Sequence, residues 1–215
     1  MNTQPEQGFR LLLLLPVLAA LIVSGIAPFD RATWLLEVLP VLLIVPLLAV
    51  TAARFPLTRM LYWLIAIHAL ILIGGGAYTY ARMPLGDWVK DAFELARNPY
   101  DKLGHLAQGL VPALAARELL IRHALVNGRV IAALLSVCVA MAISAVYELI
   151  EWAAAVIMGQ GADEFLGTQG DQWDTQSDML MALIGATIAV TLLARWHDRA
   201  MARLSGSPDQ LHRWW

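Results

Sequence analysis

A chain of 215 residues that is 59% hydrophobic and 15% charged, with a mean hydropathy of +0.63, is too apolar for a soluble domain of this length and reads as an integral membrane protein. A net charge of −2 and the lack of any Lys/Arg run with interleaved aromatics give no support for nucleic-acid binding. The single cysteine, Cys138, excludes an intramolecular disulfide and reads as a small buried hydrophobe in an apolar segment.

Six segments approach the roughly 17 to 25 residues that a spanning helix requires: 11–27, 33–53, 60–80, 103–122, 129–157 and 178–195. The expected fold is therefore all-α, a single polytopic transmembrane domain built as a bundle of six helices. Arg10 followed by "LLLLLPVLAALIVSGIA" also resembles a secretory signal. The first span is read as retained, and cleavage near Ala27 would leave the orientation of the other five unchanged. Pro16, Pro40, Pro46 and Pro112 fall inside spans, where neighbouring helices can satisfy the freed carbonyls, so kinks are expected there and not ends.

Between the third and fourth spans, residues 83–98, "MPLGDWVKDAFELARN", place Leu85, Trp88, Val89 and Phe93 on an apolar stripe opposite charges. This predicts a short amphipathic helix on the outer surface. His68 sits mid-span in the third segment, where a histidine satisfied by a neighbouring carbonyl or hydroxyl is the better reading. Gly74, Gly75 and Gly76, at its end, suit close packing. Glu37 of the second span reads equally as support for a site or as an interfacial acid. The fourth span carries His105, Gln108, Arg117 and Glu118 and must be shielded from lipid.

Loop cations set the orientation. With the N-terminus inside, ten Lys/Arg lie on the inner side, among them Arg54, Arg59, Arg117, Arg122, Arg129, Arg195, Arg199 and Arg203; five lie outside, Arg31, Arg82, Lys90, Arg97 and Lys102. Both termini are predicted to be cytoplasmic. The terminal "LHRWW" has the composition of an interfacial anchor.

This orientation turns scattered acids into a cluster. Asp101, His105 and Gln108 lie on one stripe at spacings of four and three. Glu148 and Glu151 occupy the outer third of the fifth span, with Ser144 one turn earlier. Asp171, Asp174 and Asp178 lead into the sixth span and lie close to one face if that stretch is helical. Asp163 and Glu164 read as a solvated edge.

An ionised side chain costs about 2.5 to 3.5 kcal/mol at a helix centre, and several carboxylates in one volume repel one another unless a cation joins them. The candidate ligands are thus Asp101, His105, Glu148, Glu151, Asp171, Asp174 and Asp178, and the expected cofactor is a divalent metal: Zn²⁺, Mg²⁺ or Mn²⁺. The plainer alternative is a polar network that pins helices. No phosphate-binding loop or EF-hand pattern is present.

"YDKLGH", "YELIEW" and "GTQGDQWDTQSDM" together resemble the YjdF-like family of bacterial inner-membrane proteins, and the likeness extends over nearly the whole chain. It implies a multi-pass protein of the inner membrane and supplies no substrate. More distantly, the Asp-Lys-x-x-His start of one helix and the acid pair on the next resemble VanZ-like membrane proteins, whose Glu-x-x-Gln differs from Glu148 and Glu151 here.

Three functional classes fit these residues. A metal-dependent enzyme would act at the outer leaflet on a lipid or lipid-linked substrate, with membrane lipids as its surroundings. A cation- or proton-coupled transporter would use the same acids. A noncatalytic scaffold would need them only for packing.

Overall fold

The structure, a computed structural model, describes residues 3–158 and 169–205. Among the described residues the chain is all helical, with eight helices and no strand: α1 (Thr3–Ile26), α2 (Arg31–Thr51), α3 (Arg59–Tyr78), α4 (Pro84–Ala92), α5 (Tyr100–Arg122), α6 (Arg129–Met158), α7 (Asp174–Thr191) and α8 (Ala194–Ser205). Asp163, Glu164 and the terminal "LHRWW" lie outside the described residues.

Among the described residues, four stretches are long and apolar enough to cross a membrane: Glu6–Ile26, Arg31–Thr51, Arg59–Tyr78 and Arg129–Ile157. A fifth arises if α7 and α8, bent by 57° at their junction, count as one span. The sequence count of six differs at two places. The 103–122 segment is helical within α5, but its buried polar side chains keep it out of the apolar set. The 178–195 segment becomes a helix that starts earlier, at Asp174, and ends at Thr191; its polar first turns leave it apolar enough to cross only together with α8. Pro16, Pro40, Pro46 and Pro112 all lie inside continuous helices.

The amphipathic segment is helical only over Pro84–Ala92. Glu94, at φ 52°, turns the chain away, so residues 95–98 lie outside the helix. Trp88 and Phe93 are well exposed. Cys138 is exposed, which corrects its reading as a buried hydrophobe. On a helix bathed in hydrocarbon the apolar side can face outward, so apolar surroundings in sequence do not imply burial.

The chain divides into two compact units. The first holds α1, α2, α3 from Tyr62 onward, α4 and the first turn of α5. Its core is Val17, Val38, Val41, Ala69, Leu72, Ile73, Tyr80 and Tyr100. Asp30 caps α2 by accepting from the Thr33 amide at 2.7 Å. That backbone hydrogen bond, the largest influence on the group, holds its carboxyl below the usual range. The chain leaves α3 through Thr79 and Tyr80 at positive φ. The Tyr80 ring thereby lies on Gly75, where a Cβ would collide with it. Close packing is what the three glycines serve: Gly74 faces the Tyr100 hydroxyl and Gly76 faces Glu37. The buried Asn98 donates to the Met83 carbonyl at 3.0 Å and to Asp87 at 3.1 Å, while its side-chain oxygen accepts from the Tyr100 amide at 3.0 Å.

The second unit holds Leu57–Leu61, α5 from His105 onward, α6, α7 and α8. Its helices show an outward apolar face and an inward face of small and polar residues. Along α6, Ala132, Ser136, Ala140, Ser144 and Glu148 are buried at four-residue intervals, while Leu134, Val139, Ile143 and Val146 are exposed. Along α7, Asp174, Asp178, Ala182, Gly185, Ala186 and Ala189 are buried. Helices α5 and α7 meet backbone to backbone. A Cβ on Gly109 would run into the Ala182 carbonyl, and one on Gly185 into the carbonyl of Leu106. Small residues permit such an approach, which is how helices associate where lipid removes the hydrophobic driving force between them.

Candidate metal site

The close contact of α5 and α7 fixes what stands one turn away from it. His105 lies four residues before Gly109, and Asp178 four residues before Ala182. These side chains therefore project at the same level of the second unit. His105 Nε2 is 3.8 Å from Asp178 Oδ1. From α6, Glu148 Oε1 reaches within 3.9 Å of His105 Nδ1. All three are buried: His105 at 7%, Glu148 at 8% and Asp178 at 3% exposure.

The imidazole has a defined polarity. Its Nδ1 lies 2.8 Å from the Gln108 side-chain oxygen, and an amide oxygen can only accept. With Nδ1–H donating to this acceptor, Nε2 is the nitrogen turned toward Asp178. Ligating histidines are commonly set up this way, with the distal N–H fixed by an acceptor so that the other nitrogen is free to bind. A distance of 3.8 Å is long for a hydrogen bond. It is short enough to be spanned by two ligand bonds of about 2.0 to 2.2 Å each.

The remaining sequence candidates fall around this centre in different ways. Asp174 is buried one turn before Asp178, in the first turn of α7. Asp171 precedes the helix, and its carboxylate accepts from the Trp173 amide at 2.9 Å, so the three aspartates do not form one helical face. Asp101 stands one turn before His105 on α5, partly buried, with Lys102 at 3.7 Å from its carboxylate. His105 and Asp178 each offer a ligand atom of the kind a divalent ion takes, and so does Asp101. Glu151 is half-buried on α6. His68, half-buried on α3, and Glu37 on α2 belong to the first unit.

A second buried polar cluster in the same unit went unread as such in the sequence. The Glu118 carboxylate, fully buried, accepts from the Thr58 amide at 2.9 Å, the Thr58 hydroxyl at 2.8 Å and Arg122 at 2.7 Å, and lies 2.9 Å from His197 Nε2. Arg117 binds Asp198 at 2.7 Å. The spacing of Glu118 and Arg122 signalled one of these pairs. The rest joins elements distant in sequence, and only folding reveals it.

Residues 9–199 match a family described as a predicted membrane protein, DUF2238. The chain belongs to this family. It is 61% identical over 183 residues to the inner membrane protein YjdF of Escherichia coli (strain K12), covering 85% of this chain and 88% of that protein. No solved structure matches. This member of the family is thus a protein of the bacterial inner membrane, with a buried acid and histidine group whose donors could hold a metal ion.

Proposed function

We propose that the protein is a divalent-metal-binding membrane protein whose site, at the outer side of the inner membrane, acts on a lipid or lipid-linked substrate. The observation that carries this reading is the oriented His105. Its Nδ1–H is held by Gln108, and its Nε2 faces Asp178, with Glu148 on the other side. Asp174 and Asp101, one turn from Asp178 and His105 respectively, are further oxygen donors. Oxygen-rich donors with one imidazole suit Mn²⁺, Mg²⁺ or Zn²⁺. In an enzyme of this kind one carboxylate left off the metal would serve as general base toward a water.

The cations support the outer location. Arg117 and Arg129 both approach Asp198, and Arg122 binds Glu118. These positive residues collect about 20 Å along α5 from His105, and the positive-inside tendency puts that end in the cytoplasm. With α5 about 34 Å long and α7 with α8 taken as one span, six crossings bring both termini to the inner side.

A transporter reading finds less support. Between Gln108 and Arg117 the buried positions of α5 are Gly109, Val111, Ala113, Leu114 and Ala116, and no ionisable group of that helix links the two polar clusters.

Elemental analysis of the full chain purified in detergent without chelators tests the proposal. Stoichiometric divalent metal in the wild type, lost in a His105→Ala, Glu148→Gln double variant that keeps its fold, is the expected result. A metal-free wild type that takes up no Mn²⁺ or Zn²⁺ on titration would sink it.

A further inference from the structure

Helical serine and threonine side chains readily return their hydroxyl to the carbonyl one turn back. Thr51, Ser136, Thr187 and Thr191 each do so, at 2.6 to 2.8 Å. Ser144 is fully buried, and its hydroxyl has no hydrogen-bond partner among the described residues. An unmade hydrogen bond at such a position is costly, and the carbonyl of Ala140 offers an easy alternative that the side chain does not take. Ser144 also stands one turn before Glu148 on the buried face of α6. A long helical side chain leans toward the helix N-terminus, over the preceding turn, the direction in which Ser144 lies from Glu148, whose Oε1 comes within 3.9 Å of His105 Nδ1.

We propose that Ser144 is a positioning residue of the metal site, its hydroxyl hydrogen-bonding a water carried by the cation held at His105 Nε2 and Asp178. The inference rests on the metal reading above and adds a residue to it. A neutral hydroxyl suits this place. It can donate or accept, it adds no charge to a volume already holding carboxylates, and it can orient a water without competing for the ion.

The test uses the full chain in detergent micelles with Mn²⁺ as probe, free ion being followed by electron paramagnetic resonance and stability by thermal unfolding. Ser144→Ala is expected to weaken Mn²⁺ binding about 10-fold, as the loss of a supporting hydrogen bond does at metal sites. Its metal-free melting temperature should hold or rise, because a buried hydroxyl without a partner has been removed. In a Cys138→Ser background, Ser144→Cys is expected to gain about 10-fold in Cd²⁺ affinity, since a thiol placed beside the ion favours a softer metal; a purely structural serine cannot produce that gain. Unchanged Mn²⁺ affinity in Ser144→Ala, or equal losses of affinity and metal-free stability, would overturn the role of Ser144 and leave the metal site standing. A wild type that binds no Mn²⁺ would overturn both.

Discussion

Gly109 of α5 lies directly against the carbonyl of Ala182 in α7, with no room between them for a side chain. One turn back along each helix stand His105 and Asp178. The spacing of the two backbones thereby sets the separation of the two candidate ligands, and a residue that makes no polar contact of its own controls the geometry of the site.

Gly109→Val should therefore act twice. Forcing the helices apart costs about 1 to 3 kcal/mol by overpacking, read as a lower melting temperature in detergent, and Mn²⁺ should then stabilise the variant less than the wild type. Gly8→Ala, with open space around its Cβ, is the matched control and should leave both quantities unchanged.

Glu118 is a different kind of element. Four donors converge on it, and it is wholly buried. Removing one member of such a group strands the others, at about 3 to 5 kcal/mol. Glu118→Ala should melt far below the wild type, and a Glu118→Ala, His197→Ala double variant should lose much less than the sum of the two single losses. Additive losses would show that the two residues do not share one network.

Among the acids of α6, of α7 and of the turn before α7, effects on metal binding should follow position. Glu148→Gln and Asp178→Asn are expected to lower Mn²⁺ affinity at least about 10-fold, whereas Asp171→Asn, whose side chain is occupied by the Trp173 amide, should change it little. Equal effects at Asp171 and Asp178 would contradict this ordering. Isothermal titration of the purified variants provides the comparison.

Much of this arrangement could be read before folding, and the part that could not has a physical reason. Long apolar runs with cations at their ends declare themselves, so α2, α3 and α6 fall close to their expected limits, whereas α1 starts at Thr3, well ahead of the expected residue 11. Helix α5 is harder, because its polar side chains are buried among other helices and hydropathy averages over faces. Cys138 shows the converse, an apolar context that faces outward. Glu148 and Asp178 stood out as acids in hydrocarbon sequence. Asp171 could not be told from them by spacing alone, since nothing local announces that α7 starts at Asp174. The Glu118 and His197 pairing joins residues 79 apart, beyond the reach of any periodicity.

Asp30 yields a prediction about acidity. Its carboxyl is held below the usual range by the Thr33 amide, so the folded state binds its proton less readily than the unfolded one. The stability it contributes is present above the ordinary carboxylate range and is lost as the pH falls through the lower, folded value. Asp30→Ala should cost about 1 kcal/mol near neutrality, and the difference from wild type should shrink in acid. A gap that persists at low pH would assign the effect to something other than the cap.

Helix α6 runs for 30 residues, about 45 Å, against a hydrocarbon thickness near 30 Å. Measured from Arg129, Glu148 comes about 28 Å along it; with Arg129 at the inner edge of the hydrocarbon, as proposed above, that is the level where acyl chains give way to headgroups. Bilayer thickness consequently becomes a control on the acid: short-chain lipids leave it wet, and long-chain lipids draw it into oil unless the helix tilts. Acyl-chain length, varied in reconstituted bilayers, is thus a handle on the affinity of this site that requires no mutation.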